Sequence, residues 1–151
     1  MTDAIVLRQY EPRDAAPVRA LVLAGLGDHF GTIDETMNPD LNDITGVYHD
    51  AGSYVVVAEE QGEIVGCGIL IDEDAQTGRL VRMSVRSDQR GKGIGKKLVR
   101  ALLEQARARG QRQVVCETTE DWEDAKALYR ASGFAEVGQW GGDTHFSIDL
   151  G

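Results

Sequence analysis

The sequence is short of positive charge, of sulfur and of long apolar runs, and each shortage excludes something. Lys and Arg number 16 against 25 Asp and Glu in 151 residues, a formal charge of −9. A general nucleic-acid binder needs clustered cations to displace phosphate counterions, so this balance argues against one. Only two cysteines occur, Cys67 and Cys116, each inside an apolar stretch. They read as reduced core thiols rather than as a disulfide framework. His29, His49 and His145 are scattered and Cys-x-x-Cys is absent, so no metal site is expected. No apolar run approaches the ~18 residues that mark a membrane span. Met1-Thr2-Asp3-Ala4 lacks the basic-then-apolar pattern of a secretory signal. The expectation is a cytoplasmic protein with no membrane partner.

What is present fits one domain covering residues 1–151, for no linker, repeat or low-complexity segment interrupts the chain. Ile5 to Tyr10 is β-prone, and Asp14 opens an amphipathic helix with Val18, Leu21 and Val22 at helical spacing. Gly25 to Asn38 reads as a long connection. Asn38-Pro39 reads as the start of a second helix burying Leu41, Ile44 and Tyr48. Ser53 to Glu60 and Glu63 to Asp72 are strands joined at a Gln61-Gly62 turn, and Gly78 to Arg86 continues the meander. Ile94, Leu98, Ala101, Leu102 and Ala106 mark a long helix ending near Gly110. Then come a strand (Gln113 to Thr119), a helix (Asp121 to Ser132) and two last strands (Phe134 to Gln139, His145 to Leu150). The order β-α-α-β-β-β-α-β-α-β-β predicts a mixed α/β domain.

Charge is unevenly spread. Between Arg79 and Arg112 lie eleven basic residues and two acids, Asp88 and Glu104, so the remainder carries five basic residues and 23 acids. Inside this basic island stands Arg90-Gly91-Lys92-Gly93-Ile94-Gly95-Lys96-Lys97, between a strand and a helix. The first turn of a helix offers unpaired N–H groups and a partial positive charge. Glycines let that backbone approach an anion closely, and Arg90, Lys92, Lys96 and Lys97 add full charges. A flexible turn carrying solvated charges is the simpler reading. Three alternate glycines at a strand-to-helix junction favour the phosphate cradle. A P-loop would need four residues between its glycines and a hydroxyl where Lys97 stands, which argues against ATP. The dinucleotide fingerprint fails at Lys96, where its third glycine should be. What remains is Arg-x-x-Gly-x-Gly, on Arg90, Gly93 and Gly95.

That pattern resembles the GNAT (Gcn5-related N-acetyltransferase) superfamily. Leu80-Val81-Arg82-Met83-Ser84-Val85 is similar to the family's fourth strand. Ala125-Lys126-Ala127-Leu128-Tyr129-Arg130-Ala131-Ser132-Gly133-Phe134 is similar to its closing signature. The resemblance implies a mixed, mostly antiparallel sheet of about seven strands flanked by four helices, splayed between strands four and five. It implies acetyl-CoA as co-substrate and no metal. The pyrophosphate would lie on the N–H groups of Arg90, Gly91, Lys92, Gly93, Ile94, Gly95 and Lys96. The pantetheine would pair with the main chain of Met83, Ser84 and Val85, with the Val85 N–H polarising the thioester carbonyl.

The resemblance further implies direct attack by a primary amine, in a small molecule or a peptide, with no acyl-enzyme. Tyr129 matches the family's Tyr that protonates the departing thiolate; taken alone, it is a packed helix Tyr. Glu117, twelve positions before Tyr129, resembles the Glu that serves as base in ribosomal-protein alanine N-acetyltransferases. It could equally order a water or pair with a nearby Arg. Trp122 stands where many members have an Asn that contacts pantetheine, and Arg79 where many have a Glu.

Acceptor recognition in the family comes from the region between the first two helices and from the last strands. Here these carry His29, Phe30, Asp34, Glu35, Asp40, Asp43, Tyr48 and His49, then Trp140, Asp143 and His145. Carboxylates among aromatics suit a cationic amine, although each acid alone reads as a solvated surface residue. His145 is an alternative base or a hydrogen-bonded strand residue. A homodimer through the last strands is a further expectation from the resemblance. An acetyl-CoA-sensing domain without turnover is the competing function.

Overall fold

The computed structural model describes residues 5–31 and 38–151. Asp34 and Glu35 therefore lie outside the described residues. Seven strands form one mixed sheet: β1 (Ile5–Gln9), β2 (Tyr54–Glu60), β3 (Glu63–Asp72), β4 (Thr77–Val85), β5 (Gln113–Thr119), β6 (Ala135–Trp140) and β7 (Asp143–Asp149). Their spatial order is β1-β2-β3-β4-β5-β7-β6. The β2–β3 turn falls at Gln61 and Gly62, both at positive φ (51° and 83°), the pairing a tight two-residue hairpin needs.

Helices cover both faces. α1 (Ala15–Phe30) covers one; α2 (Ile94–Ala108) and α3 (Glu123–Ala131) cover the other. Val55–Ala58 of β2 and Ile64–Ile71 of β3 carry no polar side chain other than the buried Cys67 for this reason. Val55, Val57, Cys67 and Ile69 are buried with α1's Val18, Leu21 and Val22. Val56, Ala58, Val65 and Leu70 are buried with α2's Ile94, Leu98, Leu102 and Ala106. The i, i+4 spacing of that α2 stripe puts all four side chains on one helix face.

Two elements differ from the expectation. α1 runs through Gly25 to Phe30, because Gly25 is buried against the sheet and tertiary packing overrides its low helix propensity. The second helix is delivered as two short turns, a 3-10 turn at Pro39–Asn42 and a wider, π-type turn at Thr45–His49. The Asp43 carboxylate accepts the Gly46 N–H at 3.0 Å there, a local bond that competes with a regular helix. Leu41 and Ile44 are buried as expected. No described helix is long and apolar enough to cross a membrane.

β4 and β5 run parallel but pair only at Thr77–Gln113, Gly78–Val114 and Arg79–Val115. Beyond Arg79 the two strands part. β4 also carries one extra residue relative to β3. From Cys67 to Ile69 the β3 partner advances two positions while β4 retreats three, from Ser84 to Val81. Arg82 takes up the surplus at φ 54°, a bulge that turns its side chain to the α1 face together with Val81.

Candidate active site

The parting of β4 and β5 opens a cleft of about 650 Å³. Its β4 wall is Leu80 to Val85, and its β5 wall is Glu117 to Thr119. The α1 residues Val22, Gly25, Leu26 and Phe30 close one side, and α3's Ala125, Leu128 and Tyr129 the other. The Arg86 N–H donates to the Val65 carbonyl at 2.8 Å, on the β3 side. Successive residues of a strand present their main-chain groups to opposite edges. The Val85 N–H and C=O therefore face the cleft, and the Val85 carbonyl accepts the Arg90 Nε–H at 3.1 Å.

At one end of the cleft β4 runs into a short 3-10 turn (Ser87–Gln89), then Arg90 to Gly93, then α2. Gly91 and Gly93 lie at φ 83° and 82°, and nothing stands within 4 Å of where their Cβ atoms would be. They supply the left-handed backbone and the open approach that an anion requires. Gly95 has a different use. A Cβ there would meet the Leu128 methyls at 3.2 and 3.3 Å, so this glycine seats α2 against α3. Gly91, Gly93, Ile94, Gly95, Lys96 and Arg90 all line the cleft. The Lys92 ammonium instead donates to Gln89 Oε1 at 3.0 Å, and Gln89 donates to Glu60 at 3.0 Å.

Tyr129 lines the cleft with only 5% of its surface exposed, packed between Phe134 and Phe146 at ring distances of 5.7 and 5.6 Å. Burial raises its phenol well above the ordinary value, and Cys116 and Glu117 add to the shift. The phenol therefore keeps its proton at neutral pH. Glu117 lies on the opposite, α1-facing side of β5, since the adjacent Cys116 is buried in the α2–α3 layer. Its carboxylate accepts from the Arg79 guanidinium, which also donates to Glu73. Glu117 is thus held in an ion pair at the point where the strands separate.

Above the α1 face, Arg82 grips Asp40 with Nε at 2.9 Å and Nη2 at 2.7 Å, and Nη2 also reaches Asn38. The Tyr48 hydroxyl donates to the same carboxylate at 2.6 Å. Burial opposes the Asp40 charge, but the bonds from Arg82 and Tyr48 outweigh it and hold this carboxyl below its ordinary range. Burial and the Asp40 charge push the Tyr48 phenol up to about 12. Tyr48 therefore anchors the 38–49 segment to the bulge and does not itself line the cleft.

His29 stacks on Trp122 at 4.0 Å and 7°, with Phe30 edge-on to both rings. Trp122 and Phe30 line the cleft and His29 backs them. His49 lies beside Tyr10 at 5.5 Å. His145 pairs with Glu117 across β5 and β7, but its ring stacks on Trp140 at 3.7 Å and its Nε2 meets the Trp140 carbonyl at 3.2 Å. The expected set is thus divided. The structure gathers Met83, Ser84, Val85, the loop backbone, Glu117, Tyr129 and Phe30 at one cleft, and leaves Lys92, His29, Tyr48 and His145 outside its lining.

Sequence reading passed over the α1 wall and Arg82. The α1 wall follows from Val22 and Leu26 at i, i+4, had the helix been carried past Gly25. The bulge has a signal too. Leu80, Met83 and Val85 all pack in the α2–α3 layer, so the odd spacing from 80 to 83 breaks strand alternation.

Among the described residues, no group of three or more His, Cys, Asp or Glu is arranged to hold a metal ion.

The sequence matches the family model described as the acetyltransferase (GNAT) family over residues 25–134. It is similar to N-acetyltransferase 8 of Rattus norvegicus, 41% identical over 113 residues, which is 71% of this chain and 51% of the relative. The chain therefore spans about half the length of the curated relatives it matches. Among solved structures, an acetyltransferase of the GNAT family from Staphylococcus aureus Mu50 superimposes with a TM-score of 0.89, at 23% identity, covering 98% of this chain and 100% of the other. The structure of yncA from Salmonella typhimurium, determined with its cofactor acetyl-CoA, superimposes with a TM-score of 0.74 at 20% identity, covering 98% and 95%. Likeness at such identities speaks to the fold.

Proposed function

This chain belongs to the GNAT acetyltransferase family, and we propose from that premise that its cleft binds acetyl-CoA and passes the acetyl group to a primary amine. The observation that carries the reading is the edge of β4 beyond Arg79. There the main chain faces a gap instead of a neighbouring strand, and the gap ends on a left-handed glycine loop at the start of a helix. A polar extended arm can pair with that edge, and a pyrophosphate can lie on that loop. Acetyl-CoA has both parts and supplies an activated thioester.

Each residue then has a task. The loop N–H groups from Arg90 to Lys96 hold the pyrophosphate. Met83 to Val85 orient the arm, and the Val85 N–H, directed into the gap, stabilises the charge that develops on the thioester carbonyl. Tyr129 keeps its proton through burial and delivers it to the departing sulfur. Glu117 faces the α1 side, from which an acceptor can reach the gap, and takes the ammonium proton directly or through water. The attack is direct, in a ternary complex, because the two thiols are buried away from this role, Cys67 with its pKa raised to about 12 by burial. Residues 1–151 act as one acetyltransferase domain.

Two measurements test the reading. Calorimetric titration should detect acetyl-CoA binding, and Gly93→Val should weaken it at least about tenfold, since a β-branched residue at φ 82° costs on the order of 1–2 kcal/mol before any clash. Thiol release from acetyl-CoA should depend on an added amine. Native-like binding by the Gly93 variant removes the loop assignment. Binding without turnover on any amine favours an acetyl-CoA sensor.

A further inference from the structure

Among the charged side chains of the cleft, Arg90 and Lys96 belong to the glycine loop, while Glu117 and Asp143 lie across the gap on β5 and β7. Arg82, the remaining cation in the lining, is committed to Asp40. Glu117 and Asp143 share the α1-facing side of the sheet. They belong to the cross-strand pairs Glu117–His145 and Thr119–Asp143, while Cys116 and Phe146, next to them, are buried on the other face.

On that same side the cleft carries an aromatic wall. Phe30, at the last position of α1, is 51% exposed although it is a large apolar ring. It is not loose. His29 lies edge-on to it at 4.5 Å and 80°, and Trp122 edge-on at 5.8 Å and 81°, with the His29–Trp122 stack fixing both. The stack joins the end of α1 to the start of α3 across the opening. A half-exposed ring packed against neighbouring rings beside carboxylates is a poor surface for water and a good one for a flat apolar group that bears a cation.

We propose that the acceptor is an aromatic primary amine, its ring lodged against Phe30 beside the His29–Trp122 stack and its ammonium directed to Asp143 and Glu117. This rests on the reading of the cleft as an acetyl-transfer site. It separates the acceptor from flexible polycations, which would be drawn by the acids but would leave the aromatic wall unfilled.

The test uses thiol release from acetyl-CoA with 2-phenylethylamine, n-butylamine and spermidine. The expected kcat/KM for 2-phenylethylamine exceeds that for n-butylamine by about tenfold or more, the scale of one aromatic contact plus the ring's burial. Phe30→Ala brings that ratio toward one, chiefly through KM, and Phe30→Tyr preserves it. Asp143→Asn raises KM for both monoamines severalfold. Equal efficiencies for the two monoamines, a preference for spermidine, or a ratio that Phe30→Ala leaves intact in a variant of native melting temperature overturns the inference and leaves acetyl transfer standing. Acetyl-CoA binding without release on any of the three amines also overturns the inference, and acetyl transfer itself falls only when no amine supports release.

Discussion

Tyr129 and Glu117 stand on opposite faces of β5, so the phenol and the carboxylate approach the gap from different sides. For Tyr129, burial among Phe134 and Phe146 fixes the ring and keeps the phenol protonated. Tyr129→Phe removes only the hydroxyl, so kcat should fall by about a hundredfold, within the usual range for a lost general acid, with little change in the acetyl-CoA KM. An unchanged kcat in steady-state assays removes the acid role. For Glu117 the decisive neighbour is Arg79. That guanidinium holds the carboxylate at the mouth of the gap. If Glu117 receives the ammonium proton, Glu117→Gln should lower kcat by about a hundredfold, and Arg79→Met, which leaves the carboxylate in place, should lower it less. An unchanged kcat in the Glu117 variant assigns proton removal to water. The sequence allowed Glu117 an Arg partner but did not say which Arg. Arg79 and Glu117 are 38 positions apart, and their meeting depends on a parallel pairing that no local pattern encodes. The glycine loop and the closing helix were legible, because each carries its chemistry within a few consecutive residues.

Between elements, the joint of β1, β2 and α1 rests on one ion-pair network. Arg8 donates to Asp14 at 2.8 and 2.9 Å and to Glu59 at 3.2 Å, while the Glu11 N–H also donates to Asp14. The Arg8 hydrogen bond is the main reason that Asp14, although buried, lies below its ordinary value of 3.8. A depressed carboxyl contributes stability above its unfolded-state value and loses it as pH falls through the folded one. Stability should therefore be steady from neutral pH down to about 4 and fall below it, as followed by urea unfolding. Asp14→Asn should be less stable at pH 7 by about 2–4 kcal/mol and should show a flatter decline below pH 4. The element boundaries explain what the sequence conveyed. Strands and the α2 stripe announce themselves through periodicity. The end of α1 does not, because Gly25 and Gly27 suggest a stop while burial of Gly25 beside Ser84 prolongs the helix. The turns at Pro39–Asn42 and Thr45–His49 escape for a related reason. The Asn38-Pro39 start and the spacing of Leu41, Ile44 and Tyr48 suggest a helix, but the Asp43 and Arg82 bonds hold another path.

Over the whole molecule, the division of charge seen in the composition acquires a direction. The basic island covers β4, the glycine loop and α2, and Arg90 and Lys96 bring it to one end of the cleft. Part of the island serves elsewhere, for Arg109 holds Asp72 at 3.1 Å and Arg86 holds Glu63 and Asp88. In a protein of net charge −9, a local positive field at the loop would draw a polyanion to that end. The association rate of acetyl-CoA, measured by stopped flow, should fall severalfold between about 0.05 and about 0.5 M salt, as screening shortens the reach of the field. A rate indifferent to salt assigns the island to solubility alone.

The three-pair seam between β4 and β5 also bears on stiffness. On one side stand four antiparallel strands, on the other three, and each block is laced by its own full ladder. The blocks share few rungs with each other; the α2–α3 core bridges them on one face, and the Arg79–Glu117 ion pair and the His29–Trp122 stack on the other. The sheet is thus two plates joined at a short seam, and the seam runs beside the cleft. Whatever fills the gap with main-chain bonds to β4 adds the rungs that the sheet omits and braces one plate against the other. A ligand of that kind would lengthen the short seam of the seven-stranded sheet from within the gap.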